Sequence, residues 1–145
     1  MAARDGASAD EQGALVARPL DTAEEELLHF LLAVETEGVA ELRVQARHAL
    51  VGGRCPCGCP TIELVVDPRA APTALNARAP VFSWARAART AQSSYHVVLF
   101  IAEGRLSELE YVSLSDPVPT TFPPISDLAP AVSGDVPLGP VGAPA

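Results

Sequence analysis

The sequence contains no lysine, and all ten of its basic residues are arginines. Positive charge is scarce: ten basic side chains face eighteen acidic ones, a formal net charge of −8. Such a balance argues against a general nucleic-acid binder, which needs a basic footprint to release counterions. It argues equally against electrostatic docking on anionic membranes. Aromatic residues make up only 5% of the chain, so a core must be built from Leu, Val, Ile and Ala. The longest apolar runs are Leu27–Val34, interrupted by His29, and Val97–Ala102. Both fall far short of the ~20 residues a membrane-spanning helix needs. Met1–Gln12 carries charges and no apolar stretch, so no secretory signal is expected there. The three cysteines are an odd number, which excludes a fully paired disulfide framework within one chain. Reduced thiols and the missing signal predict a cytoplasmic protein.

What is present fits one modest domain. The 145 residues are 48% hydrophobic, too apolar for a wholly disordered chain. Residues 1–18 are rich in Ala, Gly and Asp without periodicity and are expected to be a disordered arm. Residues 129–145 are a Pro/Gly/Ala tail, also expected to be disordered. A single α+β domain is expected over residues 19–128.

Local signals divide that domain. Asp21 and Glu24 form a capping-box pair at the start of a helix. Glu24, Glu25 and Glu26 follow in its first turn, where the helix dipole favours acid. Leu27, Leu28 and Leu31 make its apolar face, and Gly38 is expected to stop it. A second helix is predicted over Val39–Ala46. A hairpin follows, with strands at His48–Arg54 and Thr61–Asp67. A second hairpin joins His96–Ala102 to Leu106–Leu114 through Glu103-Gly104-Arg105. Between the hairpins, Ser83–Gln92 is expected to be either a short helix capped by Ser83 or part of a long, loosely packed connection. The expected fold is therefore two N-terminal helices packed on a mainly antiparallel four-stranded sheet, two hairpins with flexible termini.

The sharpest chemical feature is the first hairpin's turn, Cys55-Pro56-Cys57-Gly58-Cys59-Pro60. Pro56 suits position i+1 of a type I turn and Gly58 suits i+3, so the turn can aim several sulfurs at one centre. Zinc takes four tetrahedral ligands. Cys55, Cys57 and Cys59 supply three, and His48 or a partner protein would complete the set. The same thiols also fit a redox sensor, or a turn in which small thiols simply pack.

Two further constellations stand out. Arg69, Arg78, Arg86 and Arg89, interleaved with Phe82, Trp84 and Tyr95, lie in a stretch without acid from Pro68 to Ala102, a pattern that suits phosphate contact with stacking. Glu108 and Glu110, two apart on a predicted strand, face the same way. No nucleophile-elbow, zinc-protease or phosphate-loop motif occurs, so nothing in the sequence points positively to catalysis.

Arg18-Pro19-Leu20, Glu24 with Leu27, Leu28, Leu31 and Leu32, and Leu42-Arg43 with Gln45-Ala46 form one set of residues. Gly53-Arg54-Cys55, Cys57-Gly58-Cys59-Pro60-Thr61-Ile62, Leu99-Phe100, Gly104-Arg105-Leu106 and Leu109-Glu110-Tyr111-Val112 form another. Over residues 18–128 they resemble a family of small uncharacterised actinobacterial-type proteins with a Cys-x-Cys-Gly-Cys-Pro loop. The resemblance implies the architecture and the loop as a unit, and no activity.

The functional reading is a small cytoplasmic, non-catalytic binding or regulatory module acting through a protein partner, by its acidic first helix or its cysteine loop. The alternative is a zinc-binding or thiol redox-sensing protein using Cys55, Cys57 and Cys59, with His48.

Overall fold

The computed structural model describes residues 17–73, 81–89, 91, 93–115 and 117–134. Strand β1 (Arg18–Pro19) precedes helices α1 (Thr22–Leu31) and α2 (Val39–Ala46). Strands β2 (Leu50–Arg54), β3 (Ile62–Val65), β4 (Val81–Arg86), β5 (Tyr95–Ala102) and β6 (Arg105–Ser113) follow. A 3-10 turn at Ile125–Asp127 and strand β7 (Val132–Ser133) complete the described elements.

Helix α1 starts where its capping signals lie. The Asp21 carboxylate accepts the Glu24 N–H at 2.8 Å, and Glu24 Oε1 accepts the Asp21 N–H at 2.9 Å. The Arg18 guanidinium then grips both Glu24 carboxylate oxygens at 2.9 Å. The helix ends at Leu31, earlier than the Gly38 expected to stop it. Side chains from elsewhere take the carbonyls of the last turn and the chain beyond it: Ser83 Oγ donates to Leu31 O and Arg43 Nε to Leu32 O. Gly38 instead opens α2, at φ +87°.

The fold remains α+β, but the four-stranded sheet is corrected to seven strands. All are antiparallel, in the order β1-β2-β3-β6-β5-β4-β7. The two predicted hairpins are present and are joined edge to edge, with Ile62 opposite Leu109 and Glu63 opposite Glu108.

The three added strands have identifiable causes. Val81–Arg86 is a strand where the Ala- and Arg-rich composition predicts a helix starting at Ser83 or a loosely packed connection. A register shift between Val81 and Ser83 turns both Phe82 and Ser83 inward, and Ala85 follows them. Burial against the helices and pairing with β5 outweigh the weak helix propensity. Strands β1 and β7 are two residues long, too short to show a period. Arg18, assigned to the arm, pairs with Val51, and Val132–Ser133, assigned to the tail, pair with Trp84 and Ser83. Residues 1–16 and 135–145 lie outside the described residues.

Both helices pack on one face of the sheet. Leu27, Leu28, Leu31 and Leu42 meet Ile62, Val97, Leu99 and Leu109, all fully buried. A second register shift, between Phe100 and Ile101 opposite Glu108 and Leu106, resets the phase of β6. Leu106, Leu109 and Tyr111 therefore all reach the core despite their uneven spacing. Strand alternation sends Trp84, His96, Val98, Phe100, Glu108 and Glu110 to the other face. There the Trp84 and His96 rings meet edge to face, with centroids 5.3 Å apart.

Candidate metal centre

The cysteine loop closes the β2–β3 hairpin. The Cys55 N–H donates to Thr61 O at 3.1 Å, and the Gly58 N–H donates to Cys55 O at 3.2 Å. The second bond closes a β-turn with Pro56 and Cys57 at its centre. Gly58 lies at φ +94°, where a side chain would be strained. The turn folds a five-residue run back on itself, so alternate side chains converge.

The three Sγ atoms lie within 4.8 Å of one another. Cys55 Sγ and Cys57 Sγ are 2.7 Å apart, and the Cys59 N–H donates to Cys57 Sγ at 3.3 Å. Zinc–sulfur bonds of about 2.3 Å at tetrahedral angles set sulfurs roughly 3.8 Å apart, within the reach of this cluster. Cys55, Cys57 and Cys59 thus lie close enough to hold a metal ion. Cys57 is exposed, and its two neighbours are half-buried.

The thiols are electrostatically unequal. Burial pushes Cys59 up, but hydrogen bonds from the Thr61 hydroxyl, Cys57, the Thr61 N–H and Cys55 outweigh it and bring the thiol down to about 7. Cys57 is pushed up to about 11, first by its hydrogen bond with Cys55 and then by that with Cys59. The cluster therefore places its first negative charge on Cys59, and the flanking thiols donate to it. A bound cation favours loss of the remaining protons.

Thr61 is the residue that sequence reasoning missed. Besides acting on Cys59, its hydroxyl accepts the buried Tyr111 N–H at 2.9 Å. One side chain thus ties the sulfur cluster to β6. Its place directly after Cys59-Pro60 was visible, but the partner across the sheet was not.

His48 is corrected as a ligand. It is exposed just after α2, at the opposite end of β2 from Cys55. Seven residues at ~3.3 Å each place it roughly 20 Å from the sulfurs. It lines a separate hollow with Val44, Val66 and Arg69.

The other constellations are dispersed. Arg69 pairs with Asp67 at 2.9 Å, and Arg78 lies outside the described residues. Phe82 is in the core, Tyr95 stacks on Tyr111, and Trp84 is on the opposite face. Glu108 is raised by burial and by its neighbours Glu110 and Glu63, and Glu110 is raised by burial. Of the acids opening α1, Glu24 is consumed by Arg18, leaving Glu25 and Glu26 exposed. No helix among the described residues is long and apolar enough to cross a membrane. Comparison with protein-family models, with curated proteins and with solved structures finds no match to this chain.

Proposed function

We propose that this protein is a non-catalytic, metal-dependent binding module in which Cys55, Cys57 and Cys59 hold a zinc ion and a partner protein supplies the fourth ligand. The convergence of three sulfurs within 4.8 Å at an exposed hairpin tip carries this reading. Thiolates select zinc and other soft ions over hard ones. Structural zinc sites are closed by four protein ligands, whereas a three-ligand site keeps a place for an incoming donor. His48 is too distant to take that place, so the donor comes from outside the loop. The resemblance of residues 18–128 to the actinobacterial-type family belongs to this proposal and adds no activity to it.

The test is metal analysis of protein purified without chelator, followed by titration of the apo-protein with cobalt(II). One equivalent of metal and strong sulfur-to-cobalt absorption are expected, both lost in Cys57→Ser and Cys59→Ser. X-ray absorption should report three sulfurs and one lighter ligand, which added imidazole replaces. Failure to bind zinc or cobalt, with all three thiols freely reactive, sinks the reading.

Thiol redox sensing is the second reading, favoured by the Cys59 thiolate. Hydrogen peroxide would take two electrons from two of the thiols, giving one disulfide and two waters, and so remove two ligands from the site. Peroxide oxidation faster than that of free cysteine, in protein that binds no metal, would support it instead.

A further inference from the structure

A second site lies at the same strand end of the sheet as the cysteine loop but on the other side of β6, where β4 runs out and β5 begins. A cleft of about 280 Å³ opens there, lined by Arg86, Arg89, Ser93, Ser94 and His96 over an apolar floor that includes Leu114. We propose that this cleft binds a phosphate monoester, with the dianionic head held by Arg86, Arg89 and His96 and a small carbon body on the apolar floor.

Charge, donor geometry and space support it together. No carboxylate lines the cleft among the described residues. Arg18, Arg43 and Arg69 are each committed to an acid, whereas Arg86 and Arg89 have no ion pair among the described residues. Arg86 and His96 are direct cross-strand partners, so the guanidinium and the imidazole leave the sheet side by side. His96 is 7% exposed, and its Nδ1 has no hydrogen-bond partner among the described residues. Burial, and then the adjacent Arg86 charge, hold the imidazole below its usual pKa. An anion between the two relieves that repulsion.

Two guanidinium forks present more N–H groups than a carboxylate's two oxygens can use, and a phosphate offers three. The cleft, at about 280 Å³, offers more room than a bare anion requires. Among the described residues, Asp127 lines the adjoining proline-rich hollow, which shares Ala91, Ser93 and Tyr95 with this cleft. The cleft involves none of the three cysteines, so its failure and that of the metal reading are distinguishable.

The experiment titrates the full chain with phenyl phosphate, inorganic phosphate and benzoate. Calorimetry and the NMR signals of the His96 ring are the readouts. Saturable binding is expected, tightest for phenyl phosphate and at least tenfold weaker for benzoate. His96 ring resonances should move, and their titration should shift to higher pH in the complex, because linkage is reciprocal. Arg86→Gln and Arg89→Gln, both at exposed positions, should each weaken binding at least tenfold. Arg86→Lys should retain part of it, and Arg69→Gln, outside the cleft, should change nothing. Absence of saturation, equal affinity for benzoate, or equal losses in Arg69→Gln and Arg86→Gln would each overturn the proposal.

Discussion

In apo-protein the order in which the thiols react tests the electrostatics of the loop against simple accessibility. Cys57 is the exposed thiol and Cys59 is half-buried, so accessibility alone predicts that Cys57 is alkylated first. The hydrogen bonds predict the reverse. With Cys59 at about 7 and Cys57 at about 11, roughly half of Cys59 is thiolate at pH 7 against about one part in ten thousand of Cys57. The thiolate ratio is therefore ~5,000. The lower-pKa sulfur is intrinsically the poorer nucleophile, and a Brønsted slope of about 0.4–0.5 over four units returns a factor of ~40–100. A preference for Cys59 of roughly 50- to 125-fold remains. Metal-free protein would be pulsed with limiting iodoacetamide at pH 7, quenched in acid and digested with trypsin. All three sites fall on the Cys55–Arg69 peptide, so the labelled sulfur is read from fragment ions. Thr61→Val should shrink the preference several-fold by removing the hydroxyl that stabilises the Cys59 thiolate. Labelling of Cys57 first, or of both at similar rates, would refute the charge assignment.

Other predictions concern the frame that holds the loop. Gln45, 2% exposed, accepts the Leu106 N–H at 2.9 Å and donates to Ala71 O and Gly104 O. Gly104 O keeps its bond from Thr73, and exposed Ala71 is accessible to water. Gln45→Leu chiefly orphans the buried Leu106 N–H, and urea unfolding should show a loss of about 1–3 kcal/mol. Gly104 sits at φ +79°, and an added Cβ would lie 2.6 Å from Pro72 Cβ and 2.8 Å from Thr73 O. Gly104→Ala should therefore cost about 2–4 kcal/mol in the same assay. Burial raises the Glu24 carboxyl, but hydrogen bonds from Arg18 and the Asp21 N–H outweigh it and hold the group below its ordinary value. Its contribution is present above the ordinary carboxylate range and is lost as pH falls through the depressed folded value. Stability curves of wild type and Glu24→Gln should converge on acidification, and parallel curves would contradict this.

Local signals were legible and cross-strand ones were not. The capping box at Asp21 and Glu24 involves residues three apart, and the Cys55–Gly58 turn is coded by Pro56 and Gly58 within it. Strand β4 hides behind Ala85, Ala87 and Ala88, whose helix preference yields only once Phe82 and Ser83 find their burial sites. The uneven spacing of β6 made sense only with its register shift known, because a one-residue slip reverses every face. The thiol cluster could be read from spacing, but the role of Thr61 depends on the β3–β6 pairing. The distance of His48 was implicit in the predicted strand, which already separates it from Cys55 by its full length.

The β3–β6 seam also bears on the order of assembly. Each hairpin closes through a short turn, while the seam joins segments brought together across both the β4 region and β5, at a greater loop-closure cost. Every sulfur of the cluster belongs to the first hairpin alone. Its ligand set can therefore gather before the sheet is complete, and an ion captured at that stage would pin the hairpin while the seam is still open. In that order a zinc ion held as proposed would act as a folding nucleus. Refolding with equimolar zinc should be faster than without it, and Cys57→Ser should abolish the difference.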